Sequence, residues 1–269
     1  MTQRNSLAEA THTFDDGAAY ERFMGRWSRA AGAIFLDWIA PPGDARWLDV
    51  GCGTGVFTEL VLDRCAPTTV IAIDPSAAQI ELARSKQVAQ RADFRVADAQ
   101  ALPFPDGAFD VVASALVINF ISDPARALAE MRRVARPGGV LAGYVWDFAG
   151  GRSPGSLLRR AMRRIGADGP AVSGTETSRL DAIHGLFAQA GLQEIVSRTI
   201  DVTVPFPDFD DFWQSQTLSS NPTSKMIAAL PESDRAGLIA AVRAELRAGP
   251  DGSFAYAARA NAVRARVPG

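Results

Sequence analysis

Short apolar runs alternate with amphipathic stretches through the first half of the chain. Five runs have the length and composition of buried strands, namely 46–50, 69–74, 92–97, 109–116 and 140–147. Between these runs, apolar residues recur at helical spacing, as at Val56, Leu60 and Val61. The alternation of strands and helices predicts an α/β domain built on a mostly parallel sheet.

The flanking regions add a long helix and two further strands. Helical spacing runs from Tyr20 to Ala40, and strand-like alternation returns at 192–204 and 253–263. The whole pattern predicts a doubly wound α/β fold with seven strands, mostly parallel, and one antiparallel edge strand. The predicted parts are an N-terminal helical segment (1–40), a core (41–204) with a cap helix near 153–166, a helical insertion (205–250) and a C-terminal strand completing the sheet (251–269).

Composition narrows the class of protein. The 269 residues are 47% hydrophobic and 22% charged, and the net charge of −2 argues against a nucleic-acid binder. Cys52 and Cys65 have neither disulfide nor metal-ligand spacing, which favours a cytoplasmic location and no metal site. No apolar run reaches membrane-spanning length, so no membrane span is expected. The oligomeric state is not indicated.

The stretch from Leu48 to Gly55 carries the strongest chemical signal. A strand stops abruptly at Gly51, and Gly53 and Gly55 follow at alternate positions before a helix begins. Glycines allow positive φ and let a ligand approach the main chain at the helix N-terminus. A phosphate-binding P-loop needs Gly-Lys, which is absent from the chain. A dinucleotide fingerprint needs a third glycine where Val56 stands.

An acidic residue followed by G-x-G-x-G resembles motif I of the class I S-adenosylmethionine-dependent methyltransferases, in the quinone-biosynthesis-type (methyltransferase type 11) branch. The run Arg136-Pro137-Gly138-Gly139 before a strand resembles the same superfamily, and the likeness covers about residues 20–147. It implies a Rossmann-like methyltransferase fold and an enzyme whose cofactor is S-adenosyl-L-methionine, with S-adenosyl-L-homocysteine as product. The implied contacts at the turn are Asp49, Gly51, Cys52, Gly53 and Gly55.

Asp74 ends the second predicted strand, nineteen residues past Gly55. Nucleotide-binding α/β folds place a carboxylate there, where it accepts hydrogen bonds from both ribose hydroxyls. Alternatively, Asp74 caps the helix that starts at Pro75 and Ser76, and one residue can do both. Gln79, one turn into that helix, is expected to point toward the same pocket and contact adenosine, with Pro75 and Ser76 beside it.

The ends of the third and fourth strands complete the predicted site. The resemblance places adenine beside Asp98, Ala99 and Gln100, although Asp98 is equally compatible with a turn-forming cap. It also places Ser114, Ala115 and Leu116 against the methionine portion of the cofactor. Asn119 and Phe120 are then expected to face the methyl acceptor.

Two outlying segments are also assigned to the site. The segment from Tyr20 to Ser28 resembles the N-terminal lid of some small-molecule methyltransferases, which implies that Tyr20 and Arg26 lie near the amino-acid end of the cofactor; the alternative is that both are surface residues. Arginines at 159, 160, 163 and 164 form one face of the cap helix, either a solvated cationic face or an anion-binding surface.

The expected acceptor is a small, partly apolar molecule, with Trp146 and Trp213 among the aromatics near it. Nucleic-acid N-methylases of this superfamily carry Asp/Asn-Pro-Pro-aromatic after the fourth strand, where this chain reads Ser114-Ala115-Leu116-Val117. No pair of titratable residues indicates a general base. Two alternatives remain open: a nicotinamide-dependent oxidoreductase, and a module that binds S-adenosylmethionine without turnover.

Overall fold

A computed structural model of the chain describes residues 17–167, 169, 171–217 and 222–269, with side chains from Met24 onward in the first helix and from Thr223 onward after the last gap. Residues 1–16, part of the predicted N-terminal segment, lie outside this description. The seven predicted strands are confirmed. They are β1 (Arg46–Val50), β2 (Thr69–Asp74), β3 (Asp93–Val96), β4 (Phe109–Ala115), β5 (Ala135–Trp146), β6 (Gln193–Phe206) and β7 (Phe254–Arg266).

Helices connect the strands and cover the sheet. They are α1 (Gly17–Ile39), α2 (Val56–Arg64), α3 (Ala77–Arg84), α4 (Pro124–Val134), α5 (Ser156–Arg164), α6 (Leu180–Gln189), α7 (Phe209–Thr217), α8 (Pro222–Ala229) and α9 (Glu232–Glu245). The start of α4 shows why the sequence folds this way: the Asp123 side chain accepts a hydrogen bond from the Arg126 N–H, and Pro124 occupies the first turn. No described helix is long and apolar enough to cross a membrane.

The strands are ordered β3-β2-β1-β4-β5-β7-β6 in one sheet. All pairs from β3 to β5 are parallel, and β7 is antiparallel to both β5 and β6. The single antiparallel strand was predicted at an edge, and this position is wrong. The last strand in chain order inserts between β5 and β6, so β6 forms the edge.

Alternating residues of β5 show how the sheet is covered on both faces. Val140, Ala142 and Tyr144 pack in a cluster with α1 and α2, whereas Leu141 and Val145 pack with α4 and α6. This period of two is what a sheet buried on both sides requires. The order also places the end of β1 beside the ends of β2 and β4, where strand order reverses and ligands bind in doubly wound folds.

Several strand boundaries differ from the predicted ones by one to five residues, and β7 ends at Arg266 rather than at residue 263. Ala135 already pairs with Phe109, and the register then jumps to Val140 opposite Val111, because residues 136–139 loop out of the ladder. β6 continues to Phe206, inside the segment predicted to be helical, where it pairs with Phe254. The division of the chain into a lid, core and insertion stays a prediction.

Candidate functional site

The glycine turn after β1 has the backbone that its sequence predicted. Gly51, Gly53 and Gly55 have φ of 78°, 54° and 86°, in the left-handed region. A Cβ on Gly51 would lie 2.5 Å from the Val117 side chain, and one on Gly55 would lie 2.9 Å from Phe94. At Gly53 the nearest atom to such a Cβ would be Gln79 Oε1 at 3.9 Å, an ordinary contact, so this residue is not closely covered. The outer glycines permit packing, and the middle one leaves room for a ligand.

Asp74, at the end of β2, links this strand to the glycine turn through a hydrogen bond. Its Oδ2 accepts a hydrogen bond from the Gly53 N–H at 3.0 Å, and its Oδ1 accepts one from the Ser76 N–H at 2.9 Å. The cap of α3 is Ser76, whose Oγ accepts from the Gln79 N–H. The alternative in which Asp74 caps this helix is therefore wrong. Burial raises the pKa of Asp74, while its two backbone hydrogen bonds lower it.

Asp49 lies fully buried beneath the turn. The Thr58 hydroxyl donates to Asp49 Oδ2 at 2.6 Å, whereas Oδ1 has no hydrogen-bond partner among the described residues. Desolvation raises the pKa of Asp49 to about 7, against the opposing effect of the Thr58 hydrogen bond. A buried carboxylate oxygen without a partner costs free energy, so it indicates a missing donor from a ligand.

The chain after β3 forms a turn around Asp98. Asp98 Oδ1 accepts from the Gln100 N–H at 2.9 Å, and the Gln100 side chain also donates to this carboxylate at 3.2 Å. This is the turn-forming arrangement that the sequence left open. Asp98 is nevertheless exposed, with further acceptor capacity on both oxygens. It forms one wall of the site.

The end of β4 forms the opposite wall. Leu116 has φ of +65°, which is unusual for a bulky side chain, and its N–H donates to the Tyr144 carbonyl at 2.7 Å. Strained backbone of this kind concentrates at functional sites. Ser114 and Asn119 are buried behind this wall, and among the described residues Ser114 Oγ and Asn119 Oδ1 have no hydrogen-bond partner.

These elements enclose a cavity of about 690 Å³ at the carboxyl ends of β1, β2 and β4. It is lined by most of the predicted residues: Gly51, Cys52, Gly53, Asp74, Pro75, Ser76, Gln79, Asp98, Ala99, Gln100, Ala115, Leu116 and Phe120. A second cavity, of about 670 Å³, lies at the opposite end of the sheet beside Arg133 and Leu186. The first cavity lies at the end of the sheet where doubly wound folds bind their ligands, which favours it as the site.

Comparison with known proteins assigns the chain to a family. Residues 48–143 match the family described as Methyltransferase domain. An uncharacterised methyltransferase of Mycobacterium bovis is 32% identical over 197 residues, which cover 70% of this chain and 76% of that protein. This chain belongs to the class I S-adenosylmethionine-dependent methyltransferases. Its cofactor is therefore S-adenosyl-L-methionine.

Two further proteins resemble this chain, one in sequence over about half of its length and one in fold. The malonyl-[acyl-carrier protein] O-methyltransferase of Serratia marcescens is 34% identical over 137 residues, 51% of this chain and 49% of that protein, so the methyltransferase spans about half the length of this relative. The phosphoethanolamine N-methyltransferase 2 of Haemonchus contortus, solved with S-adenosyl-L-methionine, has a TM-score of 0.59 and 18% identity, covering all (100%) of this chain and 60% of that one. At this identity the likeness shows the fold alone.

The residues of this methyltransferase fit its cofactor. A bound nucleoside would need acceptors for its ribose hydroxyls and adenine amino group, and the carboxylates of Asp74 and Asp98, which line the cavity, are acceptors of that kind. The amino acid carries an ammonium group, and the partnerless Asp49 Oδ1 lies beneath the turn that this group would approach. The lightly covered backbone at Gly53, which lines the cavity, would let a cofactor approach it. The oxidoreductase and non-catalytic alternatives are not favoured.

Seven described residues of the predicted site do not line the cavity, namely Arg26, Asp49, Gly55, Ser114, Asn119, Trp146 and Trp213. Asp49, Ser114 and Asn119 are buried. Arg26 makes a two-point ion pair with Asp211 of α7, at 2.5 and 3.0 Å. Trp146 is buried edge-to-face against Trp27, and Trp213 stacks on Phe209. Their contacts with cofactor or acceptor stay predictions. The side chain of Tyr20 lies outside the described residues, although its backbone belongs to α1.

Sequence reasoning missed several lining residues. From α1, Gly25 and Ser28 face the cavity rather than Arg26, and they are three residues apart on one helical face. Their small size is a signal that could have found them, because a helix that covers a ligand closely needs small residues at the contact. Val117 and Tyr144 also line the cavity. Tyr144 could have been found from the strand period, since it neighbours Ala115 in the β4–β5 pairing.

Proposed function

We propose that this methyltransferase transfers the methyl group of S-adenosylmethionine to a small, partly apolar acceptor at the end of β4. The observation that carries the proposal is the cavity itself. Asp74 and Asp98 supply acceptors at one side, and Leu116, Val117 and Phe120 supply an apolar wall at the other. A cofactor whose polar nucleoside occupies the first side leaves the second for the acceptor.

The cofactor supplies an electrophilic methyl group on a sulfonium, so the protein mainly orients the acceptor and excludes water. Holding two reactants in line contributes about 7–11 kcal/mol in favourable cases. The wall at Leu116 is suited to this task, because its backbone is fixed by the bond to the Tyr144 carbonyl and by the Val117 contact with Gly51. The turn and the acceptor wall are thereby in direct contact.

The cavity offers few groups for proton transfer. Its titratable lining residues, among those described, are Cys52, Asp74, Asp98 and Tyr144. The two carboxylates belong to the nucleoside side, and burial raises the pKa of the Cys52 thiol well above its ordinary value. The proposal therefore favours acceptors that react without losing a proton to the protein, such as carboxylates or already acidic hydroxyls.

Calorimetry tests the cofactor, and a labelling experiment tests the reaction. The purified chain should bind S-adenosylmethionine and S-adenosylhomocysteine, and it should show no binding of NAD. Methyl-labelled S-adenosylmethionine, incubated with a small-molecule extract, should pass label into an organic-extractable product. Tight binding of NAD without S-adenosylhomocysteine binding would overturn the proposal. Binding of the cofactor with no labelled product from any extract would instead support a non-catalytic module.

A further inference from the structure

The cap helix α5 carries four arginines that differ in their partners. Arg160 and Arg164 both pair with Glu245 of α9, at 3.0 and 2.5 Å. Arg163 is exposed, as a solvated cationic face requires. Arg159 is only partly exposed, and no described carboxylate lies within ion-pair distance of it. The four arginines predicted to form one cationic face therefore have different environments. Arg159 differs from the others because it is partly buried and has no carboxylate partner among the described residues.

The side chain of Arg159 points toward the N-terminus of its own helix. Its Nη2 donates to Ser153 Oγ at 2.5 Å and, more weakly, to Ser156 Oγ at 3.4 Å. Both serines are buried. The Nε and Nη1 groups carry three further N–H donors, and these have no acceptor among the described residues. Asp147, an acid of the preceding loop, accepts from the Gly150 N–H instead.

The surroundings of Arg159 favour a negative charge. Its Cζ lies 5.6 Å from the Phe148 ring, a cation–π contact that stabilises the charge, whereas burial lowers the pKa of the guanidinium. The helix N-terminus adds positive potential, because the first turn of α5 has no acidic residue and its cap, Gly155, has no side chain to accept a hydrogen bond. A partly buried cation with no carboxylate partner among the described residues gains a charge-assisted hydrogen bond when an anion joins it.

Two aromatic rings connect Arg159 to the cofactor cavity. Phe148 lies 5.9 Å from Phe120, edge to face, and Phe120 lines the cavity beside Leu116 and Val117. The loop that carries Phe148 follows β5, whose carboxyl end adjoins that of β4. The positive group therefore lies beyond the acceptor wall, on the side away from Asp74 and Asp98.

We propose that Arg159 binds an oxyanion, a carboxylate or a phosphate, of the methyl acceptor, whose apolar part contacts Phe120 and Phe148. This inference rests on the proposed function and adds the acceptor's chemical class. A purely structural role uses only Nη2, through the two serines. Nε and Nη1 lie on opposite sides of Cδ and do not form one fork, so each supplies separate charge-assisted donors, and such donors suit the oxygens of a carboxylate or a phosphate.

Small probes test the assignment in the full chain with S-adenosylhomocysteine present. The probes are 3-phenylpropanoate, phenyl phosphate and the neutral 3-phenylpropanamide, titrated calorimetrically at millimolar concentration. At least one anion should bind, and the amide should bind about tenfold more weakly or not at all. The stronger of the two anions identifies a carboxylate or a phosphate as the group recognised.

Variants distinguish anion binding at Arg159 from attraction by the overall positive charge of α5. Arg159→Gln should weaken the anion about tenfold or more, whereas Arg163→Gln, one turn away and exposed, should leave it unchanged. If Arg159→Gln does not fold, Arg159→Lys keeps the charge and should still weaken the preferred anion, because one ammonium group cannot place donors at the positions of both Nε and Nη1. Equal binding of the amide, equal loss in Arg163→Gln, or no anion binding while S-adenosylhomocysteine binds would overturn the inference. Absence of S-adenosylhomocysteine binding would instead overturn the proposed function.

Discussion

At the amino end of the sheet Asp110 contacts two arginines, whereas at the carboxyl end Asp49 and Asp74 contact no cation among the described residues. Asp110 accepts from Arg46 Nε at 2.9 Å and from Arg136 Nε at 2.5 Å, and Arg46 above all holds the pKa of Asp110 far below its ordinary value. Burial instead raises the pKa of both carboxylates at the other end. Aspartate is paired with arginine at the end of the sheet where it joins neighbouring strands. At the end where a ligand is expected to bind, aspartate has no cationic partner among the described residues.

The difference gives the two ends opposite dependence on pH. A raised carboxyl pKa means that the folded state holds a proton which the unfolded state has lost, so stability falls as pH rises between the two pKa values. A lowered pKa has the opposite sign, and its contribution is lost as pH falls below the ordinary value of about 4. Substitutions at the two ends can therefore separate the cofactor site from the framework.

The largest effect is expected for Asp49→Asn in the cofactor-free protein. The pKa of Asp49 is about 7, so ionising this buried group costs on the order of 4 kcal/mol between pH 4 and pH 7. Denaturant unfolding of the wild type should lose stability across this window. The variant should lose less, because asparagine cannot ionise and still accepts from Thr58. Parallel pH profiles for the two proteins would show that Asp49 is not buried as described.

Asp74→Asn should weaken cofactor binding. The amide presents N–H groups where the carboxylate accepts from Gly53 and Ser76, and it loses one acceptor for the ribose. Loss of charge-assisted hydrogen bonds predicts a decrease of roughly 1.5–3 kcal/mol in the binding free energy of S-adenosylhomocysteine, measured by calorimetry. Asp110→Asn, at the other end of the sheet, is the matched control and should bind normally. Equal weakening in both variants would remove the distinction between the two ends.

Gly53→Ala should reduce both stability and cofactor affinity. Its φ of 54° strains any side chain, at about 1–2 kcal/mol of unfolding free energy, and the new methyl group enters the space left for the cofactor. Gly43→Ala is the control, because its Cβ would meet no atom within 4 Å and its φ is ordinary. Urea unfolding and S-adenosylhomocysteine titration should leave that control unchanged. A Gly53→Ala protein with wild-type affinity would show that the cofactor does not approach this backbone.

Asp110→Asn should have the smallest effect. Its arginine partners are nearly half exposed, so solvent screening limits the cost at neutral pH to about 1 kcal/mol. The difference in unfolding free energy between the variant and the wild type should shrink as pH falls below about 4, the reverse of the trend for Asp49. A difference that grows on acidification would contradict the assignment of Asp110 as an ion-paired framework residue.

Much of the site was predictable because it depends on local chain geometry. The turn from Gly51 to Gly55 follows from three glycines after a buried strand, and Asp74 is positioned by the length of one helix and one strand. The resemblance to a known family supplied the roles that geometry alone left open at Asp98. Close sequence spacing made these residues predictable.

The predicted residues that do not line the cavity depend on distant parts of the chain. Trp146 ends β5 one residue before the predicted end, yet Trp27 of α1 packs against it, and Arg26 contacts Asp211 across 185 positions. No local pattern indicates which of several aromatic residues a distant helix will cover. Likewise, the helical spacing of α5 placed Arg159 on one face with the other three arginines. Only its contacts with Ser153, Ser156 and Phe148 show that it has different partners from theirs.

The position of β7 has a consequence for synthesis of the protein. β7 is made after β6 but lies between β5 and β6, so neither neighbour can complete its ladder until residues 254–266 have left the ribosome. Until then β6, at fourteen residues the longest described strand, has no pairing partner in the sheet. Strands with unpaired edges attract other chains. A ribosome that stalls before residue 254 would therefore release a nascent chain with a finished glycine turn and an open sheet, a natural target for chaperones and proteases.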